Sequence, residues 1–197
     1  MELWDLLDKN RKPLGMTHPR GRQYPMPPNT YHTVVTVFTV DASNRILLTL
    51  RAPTKGMYPN HWEFTGGSGI AGEDSLTSAH RELWEETGIN CPSEELVLLG
   101  TLREPSAFMD CYLYRLDKAG EDVTVTLQAG ETVDFQWVAL REMETMIHKG
   151  LIPPPCAMRY GFVKQKLTEI MGEDAWMQEE AEEVSTLEST PREVSHE

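Results

Sequence analysis

Three glutamates, Glu82, Glu85 and Glu86, follow a stretch (66–72) in which four of seven residues are glycine. Positions i, i+3 and i+4 share one arc of an α-helix roughly 100° wide, so the three carboxylates face the same way. Like charges this close repel, by about a few tenths of a kcal/mol per pair, and a bound dication removes that penalty. Oxygen-only donors suit a hard ion, Mg²⁺ first and Mn²⁺ as its substitute. None of the three positions is a cysteine or histidine, which argues against zinc. The glycines ahead of them let backbone amides and carbonyls approach an ion or a phosphate without side chains in the way. Arg81 lies beside the carboxylate arc, where a guanidinium holds and orients a glutamate through two hydrogen bonds. The pattern points to metal-assisted handling of a diphosphate.

Such a cluster needs a rigid helix and a sheet to hold it. Asp74 or Ser75 is placed to cap a helix running to about Thr87, and Gly88 stands where a left-handed terminal residue is wanted. Leu76, Ala79 and Leu83 form the apolar arc of that helix. Strand patterns cover 2–8, 31–41, 46–51 and 62–65 before it, with Asn44-Arg45 turning the second and third into a hairpin. Further strands are expected at 96–103, 107–116, 123–127 and 132–138, with 19–28 as loop. Two helices follow, 140–149 and about 157–171, separated by Pro153-Pro154-Pro155. Helices mixed with hairpins predict an α/β fold in which a mixed sheet packs between helices. Trp62, Trp84 and Trp137 are read as packing residues.

Gly67, five residues, Glu73, seven residues, Arg81-Glu82, an aliphatic, any residue, Glu85-Glu86, any residue, Gly88 and the aliphatic Ile89 match the signature of the Nudix hydrolases at every required position. The chain resembles that superfamily. The resemblance implies a Nudix α/β/α sandwich and cleavage of a nucleoside diphosphate linked to another moiety, or of a related organic diphosphate. It implies Glu82, Glu85, Glu86 and the Gly66 carbonyl as metal ligands, Gly67 and Glu73 in support, and Glu82 or Glu85 activating water. In several members the base lies outside the box, which makes Glu131 a further candidate. Members commonly pair as homodimers.

The flanks carry a second resemblance. Leu3-Trp4-Asp5, Pro13-Leu14-Gly15, His18, His32 and Arg51-Ala-Pro-Thr-Lys55 look like the isopentenyl-diphosphate isomerase branch, over roughly the first ninety residues. That likeness implies diphosphate contacts from Arg51 and Lys55 and metal contacts from His18 and His32. It breaks where the isomerase has a cysteine followed by Gly-His-Pro, for this chain has Phe64-Thr65-Gly66-Gly67. Hydrolysis is therefore expected over isomerisation, with His18 and His32 as ordinary sheet or surface residues. A non-catalytic nucleotide-binding module is the other alternative; such modules often lose a box glutamate, and here none is lost.

With 197 residues and 40% hydrophobic content, the chain suits one well-packed domain, 1–172. Its net charge of −13 sits mostly in 173–197, where nine acidic residues face one arginine. That segment reads as an acidic, disordered tail. Three cysteines without metal-pair spacing read as reduced thiols of a cytoplasmic protein. No basic, aromatic-studded face suggests nucleic acid, and no apolar run is long enough to span a bilayer. The expected partner is a small-molecule diphosphate.

Overall fold

Runs of β-branched and aromatic residues form most of the expected strands, and their register decides where the carboxylate helix lies. The computed structural model describes residues 1–21 and 23–172, so the acidic segment 173–197 lies outside the described residues. Leu3–Leu7 (β1) and Pro13–Pro19 (β2) form an antiparallel hairpin of their own. The sequence predicts no strand over Pro13–Pro19, which lacks alternating hydrophobicity. Its prolines stand at the two ends, the positions where a strand best tolerates a missing N–H.

The remaining strands make one seven-stranded sheet: His32–Val40 (β3), Arg45–Arg51 (β4), Trp62–Glu63 (β5), Thr65–Ser68 (β6), Val97–Arg103 (β7), Ala107–Arg115 (β8) and Thr132–Ala139 (β9). β3 and β8 run parallel, from His32↔Ala107 to Val40↔Arg115, and the other pairs are antiparallel, so the sheet is mixed. The β3–β4 hairpin turns at Asn44, φ 59°, where Asp41 accepts from the amides of Ser43 at 2.9 Å and Arg45 at 2.8 Å. Its strands pair only at Val40↔Ile46 and then part. The chain expected as one strand at 62–65 bridges that opening: β5 pairs with β4 through Thr49↔Glu63, and β6 pairs with β3 through Val37↔Thr65 and Val35↔Gly67. Buried Phe64 marks the crossing.

Ser75–Thr87 (α1) packs Ala79 and Leu83 against Val35, Val37 and Leu47 on one face of the sheet. Leu140–His148 (α2) and Pro154–Met171 (α3) cover the other, over Phe38, Ile46, Leu48 and Val138. The result is an α/β/α sandwich. Two expectations need correction. Residues 123–127 join no ladder; Val123 and Val125 pack into the core on the α1 side, and the Thr126 amide donates to the Thr87 carbonyl at 2.7 Å. Alternation there reflects burial beneath the end of α1, not pairing. The last helix begins at Pro154 rather than beyond the prolines, because a missing N–H costs nothing in a first turn whose amides have no helical partner. Cys91, Cys111 and Cys156 are free and buried. Among the described residues no helix is long and apolar enough to cross a membrane.

Candidate active site

α1 is fixed at both ends by its own sequence. Asp74 accepts from the Thr77 amide at 2.7 Å, and Gly88, φ 69°, donates its amide to the Trp84 carbonyl at 2.8 Å. With Ala79 and Leu83 fully buried the helix cannot roll, and its carboxylates meet β6. The Gly66 amide donates to Glu86 at 3.2 Å. Gly67 makes room for Glu82, since a Cβ at that position would overlap the Glu82 carboxylate.

Arg81 is the hub. Its Nε and Nη2 donate to the two oxygens of Glu73 at 2.8 and 3.0 Å, Nη1 donates to Glu82 at 2.9 Å and Glu85 at 3.1 Å, and Nη2 also donates to the Ser68 carbonyl at 3.0 Å. The two-bond grip expected of Arg81 falls on Glu73. Burial works to raise the Glu73 carboxyl, but Arg81, the Ile70 amide and the Ser78 hydroxyl together hold it below the usual carboxylate range. One guanidinium thus ties the loop before α1 to the carboxylates on it.

The remaining negative charge is poorly compensated. Burial raises the Glu82 carboxyl against the pull of Arg81. Glu86, only 8% exposed, is raised well above the ordinary value by burial first, then by repulsion from Glu63 and Glu82. Burial likewise raises Glu63, opposed by Arg51, whose Nη1 donates to it at 2.6 and 2.7 Å. The sequence reading does not single out Glu63; a two-residue strand is too short to show a period. Residues paired across antiparallel strands share a face, so Thr49, Glu63, Thr65 and Gly67 all lie on the α1 side. The Thr49 and Thr65 hydroxyls are buried with no hydrogen-bond partner, polar groups left over where the carboxylates converge. A hard cation fits this donor set. Among the described residues no three His, Cys, Asp or Glu side chains already stand together as ion ligands, and Glu82 and Glu85 are turned toward Arg81.

Lys55 forms an ion pair with Glu131, whose charge is felt at both Glu63 and Glu86. Arg51, Lys55 and Glu131 therefore border the carboxylate row. His18 and His32 lie apart from it: His32 stacks on Trp4, ring centroids 3.9 Å apart, and burial lowers it to about 4, while His18 Nε2 meets the Tyr24 carbonyl at 3.1 Å. Trp62 and Trp137 pack against the two cores, but Trp84 is 57% exposed, on the outer side of α1.

A NUDIX-domain model matches residues 30–154, spanning the sheet, the glycine strand and the carboxylate helix. The chain belongs to the Nudix family. An uncharacterized Nudix hydrolase of Listeria monocytogenes is 32% identical over 155 residues, which cover 78% of this chain and 89% of that one. A prenyl-diphosphate phosphatase of Methanosarcina mazei is 27% identical over 136 residues, 68% of this chain and 78% of its own length. The flank resemblance is found as well: an isopentenyl-diphosphate isomerase of Pectobacterium atrosepticum is 34% identical over 87 residues, 44% of this chain and 47% of the isomerase. Among solved structures, DR0079 of Deinococcus radiodurans has the same Nudix fold, with a TM-score of 0.61 at 21% identity over 77% of this chain and 91% of its own. The protein is a Nudix-type pyrophosphohydrolase.

Proposed function

We propose that this Nudix enzyme hydrolyses the diphosphate linkage of a nucleoside diphosphate derivative or related organic diphosphate, with Mg²⁺ as its ion and Mn²⁺ as a substitute. The observation that carries the reading is the pair of buried carboxylates, Glu82 and Glu86, beside an all-oxygen donor set and unpartnered hydroxyls. Glu82, Glu85, Glu86 and the Gly66 carbonyl would hold the ion, which when bound neutralises bridging oxygens and lowers the pKa of a coordinated water. To do so Glu82 and Glu85 would have to turn from Arg81, whose guanidinium Glu73 would keep in place. Glu85, the most exposed of the three, then accepts the proton of the water that attacks phosphorus. The P–O bond of the anhydride breaks, and its electron pair leaves on the departing phosphate. Glu131 is engaged by Lys55, so we assign it to holding that cation. Arg51 and Lys55 supply positive charge at the border of the site, where an acidic chain needs it to dock an anion.

Support for hydrolysis over isomerisation comes from the missing thiol. Phe64-Thr65-Gly66-Gly67 stands where the isomerase has a cysteine followed by Gly-His-Pro, and burial pushes the Cys111 thiol on β8 up to about 12. The name of the Methanosarcina relative, which pairs a prenyl diphosphate with phosphatase activity, supports including prenyl diphosphates in the panel. Free, buried cysteines support a reducing, cytoplasmic setting.

The test is incubation with Mg²⁺ and ADP-ribose, dinucleoside polyphosphates, nucleotide sugars, oxidised nucleotides and prenyl diphosphates. Phosphate-containing products that vanish with a chelator are expected; binding without turnover across the panel sinks the reading. Charge reversal at Lys55, Lys55→Glu, should raise KM for the turned-over substrate about tenfold with kcat little changed, as loss of a charge-assisted contact implies. An unchanged KM returns Lys55 to the solvated surface.

A further inference from the structure

Asp110, on β8, lies outside the Nudix box and is 1% exposed, yet it holds a side-chain network that reaches the box. Its carboxylate accepts from both terminal nitrogens of Arg11, with Nη1 at 2.8 Å, from Thr101 on β7 at 2.6 Å, and from the hydroxyl of Ser75. Ser75 is the first residue of α1, and its hydroxyl also accepts from Tyr112 at 2.9 Å. Arg11 belongs to the turn between β1 and β2 and lies over the Phe108 ring, 5.6 Å from its centroid. The same hairpin grips the glycine loop, where the Ala71 amide donates to the Leu3 carbonyl at 2.8 Å and the Gly72 amide to Asp5 at 2.7 Å.

We propose that Asp110 is a positioning residue for the metal site, coupling the N-terminal hairpin to the first turn of α1 and so setting where Glu82, Glu85 and Glu86 stand. This rests on the metal-dependent reading above. An α-helix is a hydrogen-bonded rod, so an axial shift at Ser75 is carried undiminished to Glu82, about 10 Å along at ~1.5 Å per residue. Mg²⁺ demands near-octahedral ligation at about 2.0–2.1 Å, so a displacement of a few tenths of an ångström is felt as lost affinity. The hairpin and loop contacts point the same way: both fix the backbone that delivers Glu73 to Arg81 and leads into the first turn of the helix.

A matched control exists at the β3–β4 turn. Asp41 is as buried as Asp110 and is held by Arg45 at 2.7 Å, but that pair fixes the β3–β4 turn and does not touch α1. Arg11→Gln and Arg45→Gln each leave a buried aspartate short of its arginine, and both should lower Tm. Only Arg11→Gln and Ser75→Ala should raise the Mg²⁺ concentration for half-maximal rate, by about tenfold, the loss typical of groups that orient metal ligands. Mg²⁺ titrated calorimetrically into each protein should show the same weakening without any turnover, and Ser75→Thr, which keeps the hydroxyl, should restore it. A half-point within twofold of wild type in both Arg11→Gln and Ser75→Ala overturns the proposal, as does an equal shift in Arg45→Gln. A wild type that turns over no diphosphate with Mg²⁺ defeats the functional reading instead, and the two failures are thus distinct.

Discussion

Glu86→Gln should abolish turnover and, in the absence of metal, make the protein more stable. Burial first, and repulsion from Glu63 and Glu82 second, hold the folded-state pKa of Glu86 well above the ordinary 4.5. Stability tied to such a group is fully present below about pH 4.5 and is lost as pH rises through the folded pKa, so above pH 4.5 keeping this carboxyl buried works against folding. Glutamine keeps the shape, can still accept from the Gly66 amide, and carries no charge. Tm in EDTA at pH 7.5 should therefore rise by a few degrees, and the gain should vanish near pH 4.5. The rise in Tm that Mg²⁺ gives the wild type should disappear in the variant. The rate should fall about a thousandfold or more, since the charge that holds the ion and, through it, the transition state is gone. Glu85→Gln should lose as much activity with little gain in metal-free stability, because Glu85 is more exposed and Arg81 already compensates it. Full turnover in both variants, or a metal-free Glu86→Gln that melts below wild type, contradicts this account.

How much of this could be read from the chain differs by element. The carboxylate helix was fully legible, because Asp74, the Leu76-Ala79-Leu83 arc and Gly88 are local signals that act within one element, and the observed Ser75–Thr87 matches them. The sandwich followed from strand and helix order. What sequence could not give is what depends on register between distant strands. Glu63 joins the site only because Thr49↔Glu63 and Val37↔Thr65 place β5 and β6 on one face, and pairing of that kind leaves no periodic trace. Its place beside the carboxylate arc marks Arg81 as an orienting group, yet that it holds Glu73, Glu82 and Glu85 at once depends on how the loop folds back. Asp110 was invisible for the same reason: its partners, Arg11, Ser75 and Thr101, come from three separate elements. Residues 123–127 are the converse: their alternation is real, but burial beside α1 causes it rather than strand pairing.

The two glycines of β6 should fail in different ways when given a methyl group. At Gly66 a Cβ would overlap the Val35 carbonyl oxygen and crowd the Thr36 Cα, both backbone atoms of β3, so Gly66→Ala must displace the β3–β6 ladder. Overpacking of that kind typically removes about 1–3 kcal/mol or more of stability, and a Tm several degrees lower or loss of soluble protein is expected. At Gly67 the atoms nearest the Cβ would all belong to the carboxylate of Glu82, the movable end of a long side chain. Gly67→Ala should therefore melt within a few degrees of wild type yet lose activity about a hundredfold, because the displaced Glu82 can no longer ligate in place. A double-mutant cycle isolates the cause: if the methyl acts only through Glu82, adding Gly67→Ala to Glu82→Ala should change activity no further. A large additional loss in the double variant would show that Gly67 serves the site through its own backbone rather than by leaving space for the glutamate.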